Sequence, residues 1–243
     1  MPQSFCGEIA YHEAENRTLC VPGVGSRTDF GCLVTNTISS LDLAFEKSQC
    51  FPFYTYSGDG NTRQENVTDW SLNQFQTQYK DNAITKKDIF HYVYAANLKR
   101  ELPRIPFAQD FWAFARAGKQ MAELHISYEK QPEYKLTWIE EETAQVHYRV
   151  NKMTLSKNKT QIIYNDFLTL GGIPPEAFEY RLGNRSALEW IIDQYRVSTD
   201  KRSGIINDPN KEDDPQYIVR LIGKVITVSL ETMKIVKSLP AIE

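Results

Sequence analysis

Cysteine is scarce in this chain and confined to one end: Cys6, Cys20, Cys32 and Cys50 are the only four, all within the first fifty of 243 residues. Their separations of 14, 12 and 18 contain no C-x-x-C pair, which argues against structural zinc, whose ligands come in closely spaced pairs. They read as reduced, mostly buried thiols, with a metal or disulfide role as the alternative. Histidine is equally sparse, and His12, His91, His125 and His147 have no spacing that suggests a metal site. Neither H-E-x-x-H nor G-x-x-x-x-G-K-[ST] occurs, so neither a zinc protease helix nor a nucleotide phosphate loop is expected. Positive charge is not in excess: 28 Lys and Arg face 31 Asp and Glu, for a net charge of -3 and a pI near 5.9. Binding to anions must therefore come from local clusters. Long apolar runs are missing too, since the most apolar stretch, 217–239, is broken by Arg220, Lys224, Glu231, Lys234 and Lys237, which rules against a membrane span. No charged-then-apolar leader opens the chain, so the cytoplasm is the expected compartment. The four N-x-[ST] sequons, Asn16 with Arg17 and Thr18 among them, then read as accidental.

What is present is a chain with 41% hydrophobic residues, enough for a substantial core. The first sixty residues alternate as strands do, in SFCGEIAYH, TLCV, GCLV and CFPFYTY, and predict an antiparallel, aromatic-lined sheet. Residues 57–69 read as an exposed loop or boundary. Between 70 and 128 helical signals dominate. Thr85 is placed to cap a helix over DIFHYVYAANLKREL, and Gln109 or Asp110 to begin one whose stripe of Phe111, Phe114, Ala115, Gly118, Met121, Ala122 and His125 faces a core. Residues 129–143 are polar and acidic, after which HYRVNKMTL, TQIIYN and DFLTL predict a second sheet or hairpin near 146–170. Pro174 and Pro175 can start a short helix, and Ser186 with Glu189 makes a capping box ahead of Leu188, Ile191, Ile192 and Tyr195. From 217 to 237 apolar residues recur at helical intervals, with a strand as the minority reading because many are β-branched. The expected fold class is α+β, with an antiparallel β-rich N-terminal part and a helical middle and C-terminal part. One domain over 1–243 is expected, divided if at all into lobes 1–69 and 70–243.

Most candidate chemistry fails on context. Gly23, Val24 and Gly25 resemble the start of a dinucleotide fingerprint, but Thr28 stands where a glycine belongs and no helix is predicted next. A turn whose N–H groups, with Ser26 and Arg27, meet a phosphate is the rival reading, and a plain hairpin turn is the simplest. Ile173, Pro174, Pro175 and Glu176 lack the polar and aromatic residues of an amino-methyltransferase Asn-Pro-Pro-Tyr turn. Glu133 and Lys135, with Asp110 upstream, have the E-x-K spacing of metal-dependent nucleases, but they follow Pro132 in a loop-like stretch rather than on a core strand. What stands out is cations near helix ends and turns: Lys99, Arg100 and Arg104; Arg181 and Arg185; Lys201 and Arg202. Between 181 and 202, Arg181, Arg185, Arg196, Lys201 and Arg202 face Glu189, Asp193 and Asp200, a surplus of two. Arginine forks suit phosphate and guanine edges, and Asn184, Ser203 and Asn207 add short hydrogen-bonding groups.

The run YNDFLTLGGIPPEAFEYRLGNRSALEWIIDQYRVSTDKRSGIINDPN, continued by PQYIVRLIGKVITVSLETMKIV, resembles the C-terminal specificity region of type ISP restriction-modification enzymes and related large helicase-methyltransferase polypeptides. NRTLCVPGVGSRTDFGCLVTN, QCFPFYTY, DIFHYVYA, NLKRELPRIPF and DFWAFARAGKQMAELHISYE agree, so the likeness runs from about Phe5 to Val236. The family's polypeptides carry a nuclease, a helicase-like ATPase, an amino-methyltransferase and a target-recognition domain. This chain looks like the last alone, which implies a non-catalytic module without cofactor or metal. It would read a double-stranded DNA sequence for the methyltransferase and helicase domains of the same polypeptide. The resemblance implies phosphate contacts, for which Arg27, Arg104, Lys201 and Arg202 are the candidates. Arg181, Asn184 and Arg185 are candidate base readers or, equally, structural residues at a helix entry. An additional run is expected between DIFHYVYA and ANLKRELPRIPF, directly joined here, which argues against a helix running unbroken through Ala95 and Ala96. The rival role is a coupling module that docks to the other domains through the aromatics of QCFPFYTY and DFWAFARAG. An independent enzyme is the third.

Overall fold

A computed structural model describes residues 16–37, 47–57, 62–100 and 106–242. It is a mixed α+β structure with antiparallel sheets, as the sequence predicts. The chain divides into two compact units: Met1–Ile126 with Leu182–Asn184 and Lys234–Glu243, and Ser127–Arg181 with Arg185–Met233. The strand expected over SFCGEIAYH lies outside the described residues.

In the first unit, β1 (Thr18–Pro22) is the centre of a three-stranded antiparallel sheet, between β2 (Leu33–Thr35) and β3 (Ser48–Pro52). Two flanking bonds set the phase of the β1–β3 ladder: Phe53 N–H donates to Arg17 O at 2.8 Å, and Gly23 N–H to Lys47 O at 2.9 Å. Antiparallel pairs alternate between hydrogen-bonded and non-hydrogen-bonded, so Cys20 and Cys50, which are register partners, form a non-hydrogen-bonded pair. A hairpin of β4 (Tyr54–Tyr56) and β5 (Arg63–Glu65) follows.

Among the described residues of this unit, three helices follow: α1 (Asp69–Tyr79), α2 (Lys86–Arg100) and α3 (Phe111–Ile126). Helix α2 runs unbroken through Ala95 and Ala96, contrary to the interruption expected there. Both alanines are buried, as are Ile89, Phe90, Tyr92 and Tyr94, and such all-round burial stabilises a helix through packing rather than propensity. Asp110 begins α3 by accepting the Ala113 N–H at 2.8 Å, and the predicted stripe from Phe111 to His125 is buried throughout. Helices α2 and α3 meet at Gly118, where a Cβ would lie 1.8 Å from the His91 carbonyl oxygen. Of the aromatics offered as a docking surface, Phe53, Phe111 and Phe114 are buried and the Trp112 indole donates to Asp81 at 2.9 Å, whereas Phe51 is exposed.

The second unit is built on a four-stranded antiparallel sheet in the order β6 (Thr137–Glu140), β9 (Leu168–Gly171), β8 (Gln161–Ile163), β7 (Thr154–Leu155). Strand β6 falls in the stretch read as polar and acidic. It is an edge strand exposed along its length, and lone edge strands carry little periodic signal. Ile162, Leu168 and Leu170 from the sheet share a core with Ile218, Val219, Ile222 and Ile226. Those four belong to the long final helix, α5 (Tyr217–Ser238), which settles the helix-or-strand ambiguity there. Between sheet and α5 come a 3₁₀ turn at Pro175–Phe178, the strand pair β10 (Arg181–Leu182) and β11 (Arg185–Ser186), helix α4 (Ala187–Gln194), and the ribbon of β12 (Ser198–Thr199) and β13 (Ile206–Asn207).

Candidate nucleic-acid interface

The segment STDKRSGIIN reads from sequence as a polar loop and folds as a two-stranded hairpin, Ser198 opposite Asn207 and Thr199 opposite Ile206. Its turn is organised by Asp200. That carboxylate accepts the N–H of Arg202 at 2.9 Å, the N–H of Ser203 at 2.7 Å and the Ser203 hydroxyl at 2.9 Å. The Asp200 main chain closes the loop, donating to Ile205 O and accepting from Gly204 N–H, each at 2.9 Å. Gly204 supplies the left-handed residue the turn needs, at φ +72°. Hydrogen bonds from Ser203 and the Arg202 N–H hold the Asp200 carboxyl below its ordinary range, so it stays ionised and keeps its acceptors.

The foot of the hairpin is fastened as firmly as its tip. Val197 N–H donates to Asn151 O at 2.9 Å. The Asn210 amide imitates a strand, donating to Val150 O and accepting from Val150 N–H, both at 2.8 Å. Arg149 pairs with Asp208 at 2.5 Å. Asn210 and Arg149 together lower the Asp208 pKa to about 2. Upstream, helix α4 is anchored by the predicted capping box: Ser186 Oγ accepts from Glu189 N–H at 3.2 Å, and Glu189 accepts from Ser186 N–H at 2.9 Å. Leu188 seats the helix in the core.

On this frame Lys201 and Arg202 are exposed and make no ion pair among the described residues. Beside them Ile205 and Ile206 are 68% and 65% exposed. Sequence reasoning counted Asp200 only as an opposing charge and passed over the two isoleucines and the Arg149, Asp208 and Asn210 foot. An Asp ahead of Ser-Gly is a recognisable turn signal. The foot joins residues some sixty positions apart and leaves no local trace.

The other candidates are placed differently. Arg27 is exposed on the turn after β1, where Gly23 N–H meets Lys47 O, Gly25 sits at φ +77° and Lys47 Nζ donates to Gly25 O at 3.3 Å. The next described element is strand β2 rather than a helix, so the turn is not a dinucleotide loop. Arg104 lies outside the described residues. Arg181 is exposed at the start of β10, and Gly183, at φ +64°, turns the chain toward β11. Asn184 Oδ1 accepts the Asp29 N–H at 2.6 Å. Arg185 pairs with Asp193 at 2.7 Å and lies 5.2 Å over the Trp190 ring. Of the nuclease trio, Glu133 is 3.9 Å from Arg220 and Asp110 is the cap of α3. No group of three or more His, Cys, Asp or Glu among the described residues could hold a metal ion, and no described helix is long and apolar enough to cross a membrane.

Residues 7–221 match the model of the Type ISP C-terminal specificity domain family. Three solved structures are similar over 94% of this chain. One is a nuclease-deletion mutant of the Type ISP restriction-modification enzyme LlaGI in complex with a DNA substrate mimic, 33% identical with a TM-score of 0.76. The second is a DrdV–DNA complex, 35% identical with a TM-score of 0.80. The third is the ATP-dependent Type ISP restriction-modification enzyme LlaBIII bound to DNA, 31% identical with a TM-score of 0.80. The chain spans 18%, 25% and 16% of those chains respectively. No curated protein matches. A match that covers most of the chain, with the same fold found in relatives about one-third identical, has one reading: this chain belongs to the Type ISP C-terminal specificity domain family.

Proposed function

We propose that this specificity domain is the non-catalytic, DNA-reading part of a larger restriction-modification polypeptide of the cytoplasm. It selects the site that methyltransferase and helicase-like domains of the same polypeptide act on. The observation that carries this reading is the 198–207 hairpin, whose two exposed cations stand on a turn already ordered by Asp200. A preordered loop gives up little conformational entropy on binding, and cations on phosphates set register without reading sequence. The DNA present in all three solved relatives supports the same reading.

Lys201 and Arg202 are the phosphate contacts of this proposal. Arg27, on the β1 turn of the other unit, and Arg104 are further ones. For Asn184 and Arg185, the bonds to Asp29 and Asp193 favour holding the chain at the α4 entry over reading bases. Arg181 keeps both roles. Lys201→Ala with Arg202→Ala is expected to weaken binding to all duplexes alike and to flatten the dependence of log K on log salt by about 2. Unchanged affinity and slope in a fluorescence-anisotropy salt series would remove the hairpin from the interface.

A further inference from the structure

Cys20 and Cys50 stand opposite one another on β1 and β3, with their sulfurs 3.5 Å apart, in hydrogen-bonding contact and without a disulfide. The phase of the ladder makes them a non-hydrogen-bonded pair, the kind in which Cα atoms approach to about 4.5 Å and side chains are closest. That separation lies at the short edge of the Cα range that disulfides span, about 4.4–6.8 Å. A bond at this position is therefore attainable with little backbone movement. The two thiols also divide the labour of exchange. Cys50 is exposed and open to a soluble reagent, whereas Cys20 is fully buried with its sulfur beside that of Cys50. Cys32 is buried too, and burial pushes its thiol well above the ordinary range.

We propose that Cys20 and Cys50 form a reversible thiol–disulfide exchange site for a low-molecular-weight disulfide such as oxidised glutathione. The Cys50 thiolate attacks one sulfur of the glutathione disulfide, forming a mixed disulfide and releasing one glutathione thiolate. The Cys20 thiolate then attacks the Cys50 sulfur, forming the Cys20–Cys50 bond and releasing the second glutathione. The protein loses two electrons and two protons, and one glutathione disulfide becomes two thiols. The staple lies three residues before Gly23, at the root of the turn that carries Arg27 and that Lys47, just ahead of β3, clasps. Oxidation thus ties down that turn.

The test treats the full chain with oxidised glutathione, quenches with acid, and reads intact mass and a non-reducing peptide map. The expected result is a loss of two hydrogens, a Cys20–Cys50 crosslink and full reversal by dithiothreitol. Cys50→Ser abolishes the crosslink, while Cys6→Ser combined with Cys32→Ser leaves it. Cys20→Ala is expected to stop the reaction at glutathionylated Cys50. A wild-type chain that accumulates glutathione on Cys50 without resolving it overturns the proposal, as does a crosslink that uses Cys6 or Cys32.

Discussion

Gly118 shows how much one side chain, here an absent one, decides. The helical stripe through Phe114, Met121 and His125 already assigns Gly118 to a buried face, but only the structure puts the His91 carbonyl where its Cβ would be. Backbone against backbone cannot yield as a flexible side chain can. Gly118→Ala is therefore expected to lower stability by about 1–3 kcal/mol, as overpacked cores do, seen as a lower urea midpoint with the same m-value. A midpoint unchanged within error would mean that α2 and α3 slide apart without penalty. The cysteines make a similar point. Their sparse spacing argues for thiols rather than zinc, and Cys20 and Cys32 are buried as expected, but Cys50 is exposed and paired with Cys20 only through strand register.

At the scale of elements, the strongest local patterns survive intact. The Ser186 and Glu189 capping box, the Asp110 start of α3 and the long α5 lie where their sequence signals put them. Elements of two to four residues are another matter: β6 and the β12–β13 ribbon were hidden in stretches that look merely polar. For such short ribbons the turn does the work of the strands. Asp200→Ala removes three acceptor contacts at once, and amide exchange at Arg202 and Ser203 is expected to accelerate while that of α4 stays as it was. The same variant should weaken DNA binding without touching either cation, because a loosened loop must be ordered on contact. Exchange rates equal to those of the wild type would show that the ribbon keeps its shape without Asp200.

At the scale of the whole molecule, the acidic balance of -3 excludes indiscriminate attraction to polyanions and leaves binding to local placement of cations. The proposed role as the DNA-reading part of a larger polypeptide makes a clear prediction. Exchanging this region between two relatives with different targets is expected to move the methylated adenine to the donor's site, read by sequencing modified bases. A recipient that keeps its own site would favour a coupling role instead. By itself the sequence determined the α+β class, the caps and core faces of the long helices, and the family. Each of these is written in periodicity, capping residues or extended runs of identity, all of them contiguous in the chain. Only the tertiary structure decided that KRSG is the tip of a braced hairpin, that Arg185 and Asn184 are engaged, and that Cys20 faces Cys50. Those facts depend on pairings such as Val150 with Asn210, Asp29 with Asn184 and β1 with β3. Such contacts form when buried faces bring distant segments together, and no local propensity encodes them.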